Sequence, residues 1–140
     1  MSRILVLEDD QEFGALLKIG LEGAGYEIVL CTSASAALVL LEEQEFDLLI
    51  ADLFIKANGR MVSDGGILLI GRIRAATYSQ SPLARHSKMP IIAISGGIHY
   101  PQQDSLLRIA QSVGATVSLA KPFDQVELLL LIEPLLAPKG

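Results

Sequence analysis

Residues 46–53 read FDLLIADL. An apolar run, Leu48–Ala51, ends on a single carboxylate, Asp52, and the chain then stays polar and glycine-bearing as far as Asp64-Gly65-Gly66. A strand with one wet face alternates apolar and polar residues, whereas an unbroken apolar run suits a strand buried on both faces. The stretch therefore predicts a central strand over Asp47–Asp52 of a sheet covered by helices on both sides. ILVL (4–7) and IIAI (91–94) are built the same way.

Between such runs lie longer segments with helical spacing. The predicted strands are Arg3–Leu7, Glu27–Cys31, Asp47–Asp52, Pro90–Ser95 and Thr116–Ala120. The predicted helices are Gln11–Gly23, with Phe13, Leu16, Leu17, Ile19 and Leu21 at helical intervals, then Ser33–Glu43, Gly66–Thr77, Asp104–Val113 and Asp124–Glu133. Asp10 caps the first helix, and the last should end or kink at Pro134, which lacks a backbone donor. Residues 79–90 and the stretch after Asp52 are expected to be loop. Five βα units in succession imply an α/β fold with a parallel sheet, right-handed crossovers and a ligand site outside the carboxyl ends of the strands.

That edge collects unusual residues. The first strand runs into Glu8-Asp9-Asp10, the third ends at Asp52, the fourth at Ser95, and the fifth runs into Lys121-Pro122. Singly, each is an ordinary cap or turn residue. Together they bring carboxylates, a hydroxyl and an ammonium to one rim. Crowded carboxylates repel unless a cation sits among them, and a hard divalent ion such as Mg²⁺ suits oxygen donors of this kind. Asp52 can then act as an ionised nucleophile that forms an aspartyl phosphate, with Ser95 and Lys121 stabilising the transferred group.

The motifs ILVLEDD (4–10), FDLLIADL (46–53), PIIAISGG (90–97) and LAKPF (119–123), in that order, resemble the receiver domain of bacterial two-component response regulators. The resemblance is to stand-alone, chemotaxis-regulator-like members and covers nearly all of the chain. It implies a flavodoxin-like (βα)5 fold, a doubly wound parallel five-stranded sheet of strand order 2-1-3-4-5. It also implies a phosphoryl group taken from a histidine kinase or histidine phosphotransferase onto Asp52, followed by a change in protein contacts. By position, Glu8 and Asp9 match the acids that bind Mg²⁺ or Mn²⁺, with Asp9 the direct ligand. Phe54 matches the residue giving a backbone carbonyl to the metal, Ser95 the switch hydroxyl, and Lys121 the phosphoryl-contacting lysine before a cis proline. On this reading the protein is a phosphoacceptor that assists its own phosphorylation and dephosphorylation, not an enzyme acting on a separate substrate. Two other readings are a phosphorylation-independent interaction module and a phosphohydrolase; the intact acid set disfavours the first, and Phe54 in place of a second Asp disfavours the other.

Several features depart from that family. Lys56 stands where a proline is usual, and the segments 54–65, 75–90 and 96–103 are enlarged. Two of these leave strand tips at the active rim, so the segment Asn58–Asp64 is expected to influence partner choice or to cover the site. Ser118 replaces the usual aromatic switch, and Tyr100 is a candidate substitute. The last helix is apolar almost all round, which makes Leu130 and Leu131 a candidate surface for a homodimer or a partner's helix. Ser118 and Tyr100 belong to the same set of possible partner contacts. The basic residues at 72–88 read as a solvated face, Cys31 as core, and His86 and His99 as too isolated for a metal pair.

Bulk properties narrow the class. At 140 residues the chain is expected to form a single domain, 1–140. A net charge of −5 opposes nucleic-acid binding through phosphate neutralisation. A lone cysteine fits a reducing compartment. No apolar run reaches the ~18 residues a membrane span needs, and the N-terminus turns acidic too early for a signal peptide. A cytoplasmic location is expected.

Overall fold

A computed structural model describes residues 1–53, 55–57, 60–62, 65–95 and 103–136. Among these residues seven strands follow in chain order: β1 (Arg3–Leu7), β2 (Glu27–Cys31), β3 (Leu48–Asp52), β4 (Ile55–Ala57), β5 (Arg60–Val62), β6 (Ile91–Ser95) and β7 (Val117–Ala120). Five of them form a parallel sheet in the order β2-β1-β3-β6-β7. This is the doubly wound 2-1-3-4-5 order expected, with the short β4 and β5 standing apart as a hairpin. The helices are α1 (Gln11–Gly23), α2 (Ala34–Glu43), α3 (Gly65–Ala75), α4 (Gln103–Val113) and α5 (Gln125–Leu136).

Each central strand feeds two cores. Leu5, Leu7, Leu49, Ala51, Ile91 and Ala93 pack with residues of α2, α3 and α4 on one face. The intervening Ile4, Val6, Leu48, Ile50, Ile92 and Ile94 pack against α1 and α5 on the other. This is why the central strands are apolar between their ends: a period of two sends alternate side chains into opposite cores. Each fully buried Leu or Ile contributes roughly 1.5–3 kcal/mol relative to exposure. No helix among the described residues is long and apolar enough to cross a membrane.

Three expectations need correction. The stretch after Asp52 is not all loop: β4 and β5 pair antiparallel, with Ile55 opposite Val62 and Ala57 opposite Arg60. Asn58-Gly59, between them in sequence, is the dipeptide that favours tight hairpins. The 79–90 stretch contains a 3₁₀ helix, Pro82–His86, started by Ser81, whose hydroxyl accepts from Leu83 N–H. Finally, of the two outcomes expected at Pro134, an end or a kink, the end is excluded, because α5 continues to Leu136. The missing hydrogen bond falls in the last turn, and Leu135 and Leu136 pack onto the α1/α5-side core, which offsets it.

Candidate functional site

The strand tips meet as the sequence predicts. Glu8 follows β1, Asp52 ends β3, Ser95 ends β6 and Lys121 follows β7. Backbone bonds hold the tips level: Glu8 N–H donates to Cys31 carbonyl (3.0 Å), Leu53 N–H to Ile94 carbonyl (2.9 Å) and Lys121 N–H to Ser95 carbonyl (2.8 Å). Glu8, Asp52 and Ser95 are all buried. Asp9 is half-buried, and the peptide bond Lys121-Pro122 is cis, as the resemblance implied.

Lys121 joins the acids. Its ammonium donates to Glu8 Oε1 at 2.6 Å and to Asp52 Oδ2 at 3.1 Å. Glu8 Oε2 accepts from the Asp10 N–H at 3.2 Å, and Asp10 Oδ1 accepts from Phe13 N–H at 3.1 Å, capping α1. Asp10 is thus a cap, while Glu8, Asp9 and Asp52 each place an oxygen within 4.8 Å of the others.

Burial, then the adjacent Asp52 charge, pushes the Glu8 carboxyl up to about 8 despite the Lys121 contact. Burial would lower the Lys121 ammonium, but Asp52 and Glu8 outweigh it and hold it above its ordinary value. Glu8 is thus raised first by its burial and then by Asp52, whereas Lys121 is raised by the two acids that it bridges. Hard carboxylate oxygens at this spacing fit a divalent ion of the Mg²⁺ type.

Other sequence-derived positions divide. Phe54, Tyr100 and His99 lie outside the described residues, as do Asn58, Gly59, Ser63 and Asp64 of the segment after Asp52. The Ser118 hydroxyl accepts from Gln111 Nε2 at 3.1 Å. Leu130 is 65% exposed, as expected, but Leu131 is half-buried against the core. A helix lying on a sheet buries its shoulders as well as its inner face, and Leu131 occupies a shoulder. Cys31 is core, its thiol pushed up to about 12 by burial.

The basic stretch at 72–88 is only partly a solvated face. Arg72 and Lys88 are exposed. Arg74 instead donates to the Gly114 and Ser87 carbonyls, Arg85, though exposed, donates to those of Leu41 and Glu42, and the buried His86 accepts through Nε2 from Phe46 N–H. Phe13 also escaped the sequence reading: the Lys121 ammonium lies 4.1 Å from its ring centroid. An apolar residue at helical spacing carries no local sign of such a contact.

Comparison with known proteins identifies the family. The family model for the response regulator receiver domain matches residues 4–133. An uncharacterised 14.6 kDa protein from the sodA1 3′ region of Leptolyngbya boryana is 31% identical over 93% of this chain and 86% of its own. The CAI-1 autoinducer sensor kinase/phosphatase CqsS of Vibrio cholerae is 29% identical over 91% of this chain, which spans only 16% of that protein. A solved structure of a candidate response regulator from Chloroflexus aurantiacus superposes with a TM-score of 0.77 at 28% identity, covering 98% of both chains. The chain belongs to the response regulator receiver domain family, the phosphoacceptor module of two-component signalling.

Proposed function

We propose that Asp52 is the phosphoacceptor and that the surrounding residues carry out the transfer. A carboxylate oxygen of Asp52 attacks the phosphorus of a phosphohistidine on a histidine kinase or phosphotransferase. The P–N bond breaks, its electron pair stays on the imidazole nitrogen, and an O–P acyl phosphate bond forms. Lys121 orients Asp52 beforehand and contacts the transferred group afterwards, and the Ser95 hydroxyl moves to meet it. Glu8, Asp9 and Asp52 would hold Mg²⁺ or Mn²⁺, which when bound offsets the charge gathering on the phosphoryl oxygens. A backbone carbonyl from Phe54 rests on the family resemblance alone. In self-dephosphorylation a water oxygen attacks the phosphorus among the same residues, the O–P bond to Asp52 breaks with its electron pair returning to the carboxylate, and inorganic phosphate leaves. The exposed side of α5, led by Leu130, is the candidate partner face, with Ser118 and Tyr100 as further candidates. Arrangement as a single domain over 1–140 and a cytoplasmic location complete the proposal.

The observation that carries the reading is the Lys121 bridge between two buried carboxylates on separate strand tips. Acetyl phosphate with Mg²⁺ is expected to produce a hydroxylamine-sensitive phosphoprotein that Asp52→Asn abolishes. Equal labelling of the variant would place the acceptor elsewhere.

A further inference from the structure

The Lys121 ammonium has three N–H donors, and two point at carboxylates, Glu8 at 2.6 Å and Asp52 at 3.1 Å. Beside it lies the Phe13 ring, with the nitrogen 4.1 Å from the centroid. That is well inside the ~6 Å range over which a ring quadrupole attracts a cation. The ring is itself braced: Phe123 meets it edge to face, centroids 5.8 Å apart and planes at 80°. Phe13 sits in the first turn of α1, which Asp10 caps through the Phe13 N–H. The strand tip that supplies Glu8 therefore also fixes where the ring stands.

We propose that Phe13 is a positioning residue, whose ring face keeps the Lys121 ammonium beside Asp52 while Glu8 is otherwise engaged. The inference rests on the assignment of Asp52 and Lys121 above. Glu8 faces two demands: it pairs with Lys121, and it is one of three acids suited to a divalent ion. A carboxylate drawn towards an ion weakens its hold on the ammonium. The aromatic face attracts the same ammonium and cannot be drawn away, because it carries no net charge and binds no hard cation. A carboxylate at position 13 would add a fourth acid beside Glu8, Asp9 and Asp52. A leucine would fill the space with no attraction for the cation. An aromatic ring supplies the attraction without the charge.

Two measurements separate positioning from packing. In EDTA, a double-mutant cycle of Phe13→Leu and Lys121→Met, read by urea unfolding, should show the pair coupled. The coupling should be about two- to thirtyfold in the unfolding equilibrium constant, the range for partly to well desolvated cation–π pairs. With acetyl phosphate and Mg²⁺, Phe13→Leu should slow labelling at least about threefold, by the lower part of that range. Phe13→Tyr and Phe13→Trp should restore it. Leu16→Ala, which opens the neighbouring apolar pocket without touching the ammonium, should label as wild type does. A cycle that closes without coupling, or labelling unaffected by Phe13→Leu, would overturn the proposal. Wild-type protein that takes no label would instead remove the assignment of Asp52, while the EDTA cycle still tests the contact itself.

Discussion

His86 shows how far a residue's surroundings can change its meaning. It is 2% exposed, and its Nε2 accepts from Phe46 N–H at 3.0 Å, which fixes the neutral form with that nitrogen bare. Burial and the adjacent Arg85 charge lower its pKa, while Glu45, the Leu41 carbonyl and Asp47 pull the other way without prevailing. In the unfolded chain His86 takes up a proton near its ordinary value of about 6.5; in the folded protein it does so only at lower pH. Between those values the unfolded state holds more protons, so stability falls as pH falls. The contribution is complete above about 6.5 and is lost progressively on acidification, with a limiting slope of about 1.4 kcal/mol per pH unit. His86→Gln retains an acceptor for Phe46 N–H but does not titrate. Urea unfolding between pH 8 and 5 should therefore give a flatter acid limb for the variant. Parallel limbs would show that His86 does not titrate with folding.

At the scale of elements, the sequence located what periodicity can locate. β1, α1 and β2 begin and end where their apolar patterns predict, because charged or glycine-bearing stretches bound each apolar run and leave little freedom of register. The hairpin β4–β5 escaped because three-residue strands are too short to establish alternation. The role of Arg85 escaped for a different reason: α2 has no basic residue in its last turn, and nothing local says that a distant arginine will bond its final carbonyls. The acids, Ser95 and Lys121 were legible because strand ends in a parallel sheet share an edge. The contact between Phe13 and Lys121 depends on helix orientation, which periodicity does not give. The start of α3 supplies a test of how firmly these elements are set. A Cβ on Gly66 would lie 2.7 Å from the Asp52 carbonyl oxygen and 3.0 Å from Leu53 Cα. Both are backbone atoms, and Leu53 is tied to Ile94, so neither yields cheaply. Gly66→Ala should destabilise the fold by about 1–3 kcal/mol, as overpacking does. Gly23→Ala, with open space around its Cβ, should stabilise by about 0.4–1 kcal/mol. Urea midpoints that move together would contradict this account.

For the molecule as a whole, the sheet separates two kinds of surface. Its carboxyl edge gathers the charged site, while α5 exposes Val126 and Leu130, 64% and 65% accessible, beside Glu127 and Glu133. Exposed apolar side chains on one helix favour association. Bringing two copies together through that helix also brings together two chains of net charge −5, each with Glu127 and Glu133 exposed on the same helix. The apolar gain is nearly independent of salt, whereas the repulsion is screened over about 10 Å at 0.1 M and over a shorter distance as salt rises. A homodimer through α5 should therefore strengthen with ionic strength, the reverse of an assembly held by ion pairs. Sedimentation equilibrium is expected to show a weight-average mass that rises with protein concentration, and rises further at high salt. Leu130→Lys should hold the protein monomeric, because it removes the apolar contact and places an ammonium where the partner's Leu130 would pack. A monomer at every concentration and salt level, with and without beryllofluoride as phosphoryl mimic, would assign the α5 face to a different partner. Association that weakened with salt would instead point to charged contacts elsewhere on the surface.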